Sequence, residues 1–391
     1  MGSGARTMFA NKSHFGRSNW MPTWIPFLSW KFSARYILML LLIMGGMPQQ
    51  QPYRGRTSGQ VLEMMGAAAA ITWSWKPWCV WECCDEPWIN VNNISSGLDN
   101  VLNENLFGQH IVKETVSAAL QGHLLNPNPP KPLVLSFHGR TGTGKNFVSR
   151  MIAESIYKKG LSSKYVHLKI ADRDFRHTTK FAEYKESLHN EVFNSAKSCP
   201  RQLFIFDEVE NMPPGLLDTI RPFLEYRSHL EGVQFNKAIF IFLSNTAARE
   251  ISEYALSHMQ AGGTREEITL QSLEPLIEQS SFSSAGGGFQ SARLIDKYLI
   301  SHFIPFLPLE TSHVRNCIIS ELLSHHARSD ASTSTKDIVD EVVRELQFWP
   351  KGLELFATKG CKSVAEKLNL ALFRAHRRKE AVKQDLSKNE L

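Results

Sequence analysis

Leu133-Val134-Leu135-Ser136-Phe137-His138-Gly139-Arg140-Thr141-Gly142-Thr143-Gly144-Lys145-Asn146 is the most informative run in the chain. Leu133–Phe137 reads as a buried strand, and a helical pattern runs from Phe147 to Lys158. Between them lies a loop with glycines at 139, 142 and 144. Glycine lets the backbone take positive φ and approach a ligand closely. The amides and dipole of the following helix favour an anion. The spacing is GxxxxGK, in which the lysine, Lys145, reaches the outer phosphates of a nucleotide. Gly139, Arg140, Thr141, Gly142, Thr143, Gly144, Lys145 and Asn146 are therefore the expected phosphate cradle. Asn146 stands where this motif has Ser or Thr, whose hydroxyl holds Mg²⁺, and an amide oxygen can still serve as a ligand. A glycine turn with a chance lysine would not need the strand before it and the helix after it.

Working outward, 126–132 (NPNPPKP) is a stiff connector that ends a helical pattern over Ile111–Leu125. Downstream, Arg201–Glu208 reads RQLFIFDE, an apolar strand closing in two acids sixty-two residues after Lys145. Asp207 is placed to orient Mg²⁺ and its water, and Glu208 to act as general base. Lys237–Asn245 is a further buried strand ending in Asn245, which is expected beside the outermost phosphate; the competing use is as a helix N-cap. Strands at Tyr165–Ile170 and Phe303–Phe306 alternate with helical patterns at 181–198, 214–226 and 247–260. This alternation predicts a parallel sheet with helices on both faces and a ligand at the carboxyl ends of its strands. Residues 311–372 read as all-helical, and Gly360-Cys361-Lys362 brings Lys362 within reach of the nucleotide from that side. The expected fold class is α/β: a P-loop parallel sheet flanked by helices over 97–310, then a small helical lid over 311–372, then a basic tail over 373–391.

The chain has 391 residues, 42% hydrophobic and 21% charged, and its net charge of +6 is concentrated at the ends. Residues 1–60 carry seven Lys or Arg and no acid, and the last nineteen residues carry six basic against three acidic. The middle is near neutral, which argues against a nucleic-acid binder. Within a leader over 1–47, Tyr36–Met47 (YILMLLLIMGGM) follows a basic stretch. Twelve helical residues span about 18 Å, short of the roughly 30 Å hydrocarbon core, so a signal peptide fits better than an uncleaved anchor. The long leader leaves Met8 or Met21 open as the true start. Within the apolar, Trp- and Cys-rich 48–96, the part over 61–81 reads as a segment on or in a bilayer, the alternative being a helix packed on its own domain. Six cysteines without a CxxC pair argue for disulfides rather than zinc, with fifteen possible pairings. Asn93-Ile94-Ser95 is a glycosylation sequon, and Lys388–Leu391 (KNEL) differs by one residue from the retention signal KDEL.

The core followed by a lid resembles AAA+ proteins. GRTGTGKN, Leu106–His110 (LFGQH), FIFDE, FLSN, Ile304–Leu309 (IPFLPL) and Gly360-Cys361-Lys362 together resemble the torsins, from about Gly97 to Leu372. The resemblance implies an ATPase that uses ATP and Mg²⁺, related to Clp/HSP100 remodelling proteins, in the endoplasmic reticulum lumen and perinuclear space. It implies peripheral membrane association and a homo- or hetero-oligomer. It also implies weak activity alone, because torsins lack an arginine finger and take it from the lumenal domain of a membrane-anchored activator. Here Arg293 and Asp296-Lys297-Tyr298-Leu299 occupy the corresponding region, and lysine is a poor substitute for a guanidinium fork. By the same resemblance Asn245 and Lys362 sense nucleotide and Cys361 pairs with Cys317. Arg140 departs from the family's usual Trp. The expected task is ATP-driven remodelling of proteins or membranes, and the rival is a nucleotide-switched binding module in which hydrolysis is incidental. Threading through a pore is disfavoured, since Asp172–Lys180 offers Phe175 but no aromatic-apolar-glycine loop.

Overall fold

Two strands with alternating phenylalanines, Leu203–Asp207 (LFIFD) and Ile239–Ser244 (IFIFLS), set the character of the core. A computed structural model describes residues 82–91, 94–284, 286–326 and 335–389. In chain order the longer elements are α1 (Ile94–Asn105), α2 (His110–Leu125), β1 (Leu133–Gly139), α3 (Lys145–Ile156), β2 (Val166–Ile170), α4 (Phe181–Ser198) and β3 (Leu203–Asp207). They continue with β4 (His229–Leu230), β5 (Val233–Gln234), β6 (Ile239–Ser244), α5 (Ala248–Gln260), α6 (Leu270–Ser283) and β7 (His302–Phe306). Last come α7 (Thr311–His326), α8 (Thr335–Arg344), β8 (Phe348–Trp349), β9 (Phe356–Ala357) and α9 (Val364–Asn389).

The main sheet runs β2-β3-β6-β1-β7, parallel throughout. Parallel strands need crossovers, and the helices that make them cover both faces. Side chains alternate across a strand. Phe204, Phe206, Phe240 and Phe242 therefore share one face with α4, α5 and α6. Leu203, Ile205, Ile239 and Ile241 share the other with α1, α2 and α3. On the aromatic face Phe204 stacks on Phe240 at 4.9 Å and Phe206 on Phe242 at 5.4 Å between ring centroids. The α/β class expected from the alternation of strands and helices is what forms.

Local structure departs from expectation at two places. Residues 214–226 do not make one helix: Gly215 takes φ 79° and Pro222 opens a single turn, Arg221–Leu224. Proline cannot continue a helix behind it, so the segment breaks into turns. The region after 311 is not all-helical. Apolar Phe348 and Trp349 pair with Phe356 and Ala357 in a small antiparallel ribbon closed by a turn through Pro350 and Gly352. Otherwise α7, α8 and α9 pack around their own apolar cluster of Val314, Ile318, Leu322, Ile338, Val342 and Leu368. α9 runs unbroken across position 372.

Two disulfides join pairs of described cysteines. Cys84–Cys199 joins the entry segment to the approach to β3, and Cys317–Cys361 joins α7 to the turn before α9. The entry segment is also held by Glu82, which accepts hydrogen bonds from the Ser163 hydroxyl and the Lys164 N–H. No helix among the described residues is long and apolar enough to cross a membrane. The leader, the 61–81 segment, Asn93 and the last two residues of KNEL lie outside the described residues.

Candidate functional site

At the carboxyl ends of β1, β3 and β6 the sheet opens into a cavity of about 540 Å³, walled on the far side by Cys317, Cys361, Lys362 and Val364. Thr141–Phe147 form its floor, and Asp207, Glu208, Glu210 and Asn245 one side. Leu106 and Phe107, from the turn between α1 and α2, close it near the loop.

The loop's glycines are required by contact as well as by φ. A Cβ on Gly139 (φ 155°) would sit 2.5 Å from the Phe306 carbonyl oxygen. One on Gly142 (φ 77°) would sit 1.9 Å from the Lys359 carbonyl oxygen. The Cys361 N–H donates to the Gly142 carbonyl at 3.0 Å, so the outer turn of the loop lies directly on the lid. Arg140 turns outward and its guanidinium covers the Trp349 ring at 5.2 Å. Thr143 donates through its hydroxyl to the Arg140 carbonyl at 2.8 Å.

Lys145 is buried at the centre. Its ammonium donates to the Gly139 carbonyl at 2.7 Å, the Arg140 carbonyl at 3.0 Å and Asn245 Oδ1 at 2.9 Å. Burial lowers its pKa to about 8; the charges of Glu210 and Asp207 oppose that shift and Lys362 adds to it. Asn245 therefore faces Lys145 rather than capping a helix: the next helix, α5, starts after Ala247, and no side chain caps it.

Asp207 ends β3. Asn146 donates to its Oδ2, and the Glu208 N–H donates to its Oδ1 at 2.9 Å. Asn146 thus spends its NH₂ on Asp207 and keeps its amide oxygen for another partner. Burial raises the Asp207 pKa against these hydrogen bonds. Glu208 sits in the left-handed region at φ 58° and ψ 43°. That conformation costs a non-glycine residue of order 1–3 kcal/mol and tends to mark functional positions. Its Oε2 is buried without a hydrogen-bond partner. Burial raises its pKa, followed by the neighbouring carboxylates Asp172, Asp207 and Glu210. A carboxylate so placed is a stronger base than one in water.

Two residues outside the sequence-level candidates organise the site. Gln109 is buried; its NH₂ donates to the Thr143 carbonyl at 3.1 Å and the Leu307 carbonyl at 2.8 Å, and its oxygen accepts from the Leu307 N–H at 2.9 Å. It ties the phosphate loop to the end of β7. Glu210 accepts from the Ser244 hydroxyl and from both nitrogens of Asn245. Arg293 and Lys297 are exposed, and among the described residues no arginine lines the cavity. Phe175 is buried in the core, with an edge contact to Tyr184 at 5.5 Å, so it offers no pore-facing aromatic.

The donor set fits a triphosphate with a divalent cation: a glycine cradle with no room for a Cβ at 139 or 142, a buried ammonium, two adjacent acids and an unpaired buried carboxylate oxygen. Comparison with known proteins agrees in kind. The family model described as Torsin matches residues 78–206, and the one described as Torsin-1A, C-terminal domain matches 309–370. A torsin-like protein of Caenorhabditis elegans is 40% identical over 293 residues, covering 75% of this chain and 81% of its own length. Torsin-3A of Homo sapiens is 40% identical over 293 residues, covering 74% and 72%. Among solved structures, a closed-state Hsp104 reconstruction with ATPyS and FITC casein superposes with TM-score 0.50 at 17% identity. It is covered over 75% of this chain and 48% of its own, so this chain spans about half its length, and the likeness speaks to fold alone.

Proposed function

The chain belongs to the torsin family of AAA+ ATPases, and from that premise we infer that it binds MgATP in the cavity between sheet and lid and hydrolyses it there. The observation that carries this reading is the convergence of Lys145, Asp207, Glu208 and Asn245, from separate elements, on one cavity. Lys145 and the amides of Gly142–Asn146 hold the phosphates. Asp207 and the amide oxygen of Asn146 hold the cation, directly or through water. The cation, when bound, neutralises charge on the outer phosphate oxygens. Glu208 takes the proton of the attacking water through the oxygen that has no partner of its own. Asn245 and Lys362 report the outer phosphate to strand and lid.

Hydrolysis is weak in the isolated chain and strengthened by an arginine from the lumenal domain of a membrane-anchored activator. What supports this is the cavity's lining, which among the described residues holds Lys145 and Lys362 but no arginine. The compartment is the endoplasmic reticulum lumen with the perinuclear space; two disulfides suit an oxidising compartment. The Cys317–Cys361 bond, on the cavity wall, lets thiol redox state bear on nucleotide binding. AAA+ proteins generally oligomerise, and the work is remodelling of proteins or membranes.

Two variants test the reading. Lys145→Ala is expected to weaken ATP binding at least tenfold in a fluorescent-nucleotide titration; unchanged affinity rejects the site. Glu208→Gln is expected to keep nucleotide, lose turnover and stay trapped on the activator. Normal function of Glu208→Gln would favour the nucleotide-switched binding module instead.

A further inference from the structure

Glu208 and Glu210 lie two residues apart and live in opposite hydrogen-bonding states. Glu208 has a buried oxygen with no partner. Glu210 has both oxygens engaged. Its Oε2 accepts from the Asn245 main-chain N–H at 3.0 Å and the Ser244 hydroxyl at 2.8 Å, and its Oε1 accepts from the Asn245 side-chain NH₂ at 2.6 Å. An ionised carboxylate only accepts. It therefore leaves the Asn245 amide one orientation, with NH₂ on Glu210 and Oδ1 on the Lys145 ammonium. Without Glu210 the amide could turn over and set its NH₂ against a cation.

Glu210 is itself held from behind. Its turn, Val209–Asn211, abuts the glycines at 287 and 288. The Gly288 N–H donates to the Val209 carbonyl at 3.0 Å. A Cβ on Gly287 would fall 2.8 Å from the Glu210 carbonyl oxygen, and one on Gly288 2.8 Å from that of Val209. Neither glycine has a positive φ, so contact, not conformation, excludes a side chain there.

We propose that Glu210 is the positioning residue of the outer-phosphate sensor: it fixes the Asn245 amide with its oxygen on Lys145, and the Gly287–Gly288 backbone fixes Glu210. This rests on the nucleotide reading of the cavity and adds a division of labour between the two glutamates. Glu208 is the base, and Glu210 touches no reacting atom and acts through Asn245.

The test compares affinities of the full-length chain for ATPγS and ADP, by competition against a fluorescent ADP analogue. Glu210→Gln keeps the size but offers one acceptor where two sides need one, so it releases Asn245. Glu210→Gln and Asn245→Ala should each lose about tenfold in ATPγS affinity, a change of about 1.4 kcal/mol, with ADP affinity held within about twofold. The double variant should be no worse than Asn245→Ala, because both changes break one linkage. Gly287→Ala, which forces the Glu210 backbone to shift, should lose ATPγS preference in the same direction. The proposal is overturned if Glu210→Gln keeps the ATPγS:ADP ratio, weakens both nucleotides alike, or multiplies with Asn245→Ala. It is equally overturned if Asn245→Ala leaves the ratio unmoved. Failure of the unaltered protein to bind either nucleotide would instead reject the nucleotide reading beneath it.

Discussion

At Lys145, burial and ligand pull on the same proton in opposite directions. Burial holds the pKa of the free residue at about 8, whereas a bound triphosphate stabilises the ammonium. Binding should therefore be flat up to about pH 7.5, then weaken by up to about tenfold per pH unit above pH 8 as the free form loses its proton. Protons should be taken up on binding in that range, measurable by calorimetry in buffers of different ionisation enthalpy; pH-independent affinity from 7 to 9.5 would contradict it. His138, one residue before the loop, shows the complementary case in folding. Its imidazole is fully buried and lies 2.7 Å from the Ser136 hydroxyl and 3.1 Å from the Thr246 carbonyl. Burial pushes its pKa down to about 3. The unfolded chain binds a proton below its ordinary value of 6.5 that the native chain refuses, so stability falls as pH falls through that window. The share from His138 should be about 2 kcal/mol between pH 6.5 and 5. Urea unfolding at several pH values should show that share missing in His138→Gln.

Among the elements, the strands and the phosphate loop could be read ahead because their signals are local. A run such as IFIFLS states its own period, and GRTGTGK carries its glycines at the positions that need them. The ribbon over 348–357 could not, since two-residue strands have no period to detect. Gln109 and Glu210 escaped for a different reason: their value lies in partners 198 and 35 residues away, at Leu307 and Asn245. Nothing in a single sequence marks such pairings. The same long reach governs the entry segment. Cys84–Cys199 closes a loop of 115 residues, and cross-links of that length stabilise by about 3–5 kcal/mol in the chain-entropy account. Cys84→Ser should lower unfolding stability by roughly that amount. A loss under about 1 kcal/mol in chemical denaturation would show that Glu82 and its hydrogen bonds hold the segment unaided.

For the whole molecule, the lining of the cavity makes a statement about company. Lys145 and Lys362 reach the site from the sheet and from the lid, yet Arg140, the loop's own guanidinium, is spent on Trp349. Raising the concentration of the chain alone should leave turnover per molecule unchanged, whereas adding a lumenal partner domain that presents an arginine should raise it by orders of magnitude. Strong stimulation by self-association alone would mean that a neighbouring copy supplies the missing charge. The proposed compartment and partner are the least legible readings of the chain, because they rest on termini and on surfaces that no packing rule constrains.

Gly142 and Gly360 sit where loop and lid meet: a Cβ on Gly360 would fall 2.2 Å from the Gly142 carbonyl oxygen, as one on Gly142 would strike the Lys359 carbonyl. Neither position can drift freely: a methyl group on either must be answered by a shift of the backbone facing it, that of Lys359 or that of Gly142. The part of the nucleotide loop that lies on the lid is thus also the least free to vary. Efforts to retune this site for another nucleotide or another rate would have to redesign the loop's crest and the lid's turn as one unit.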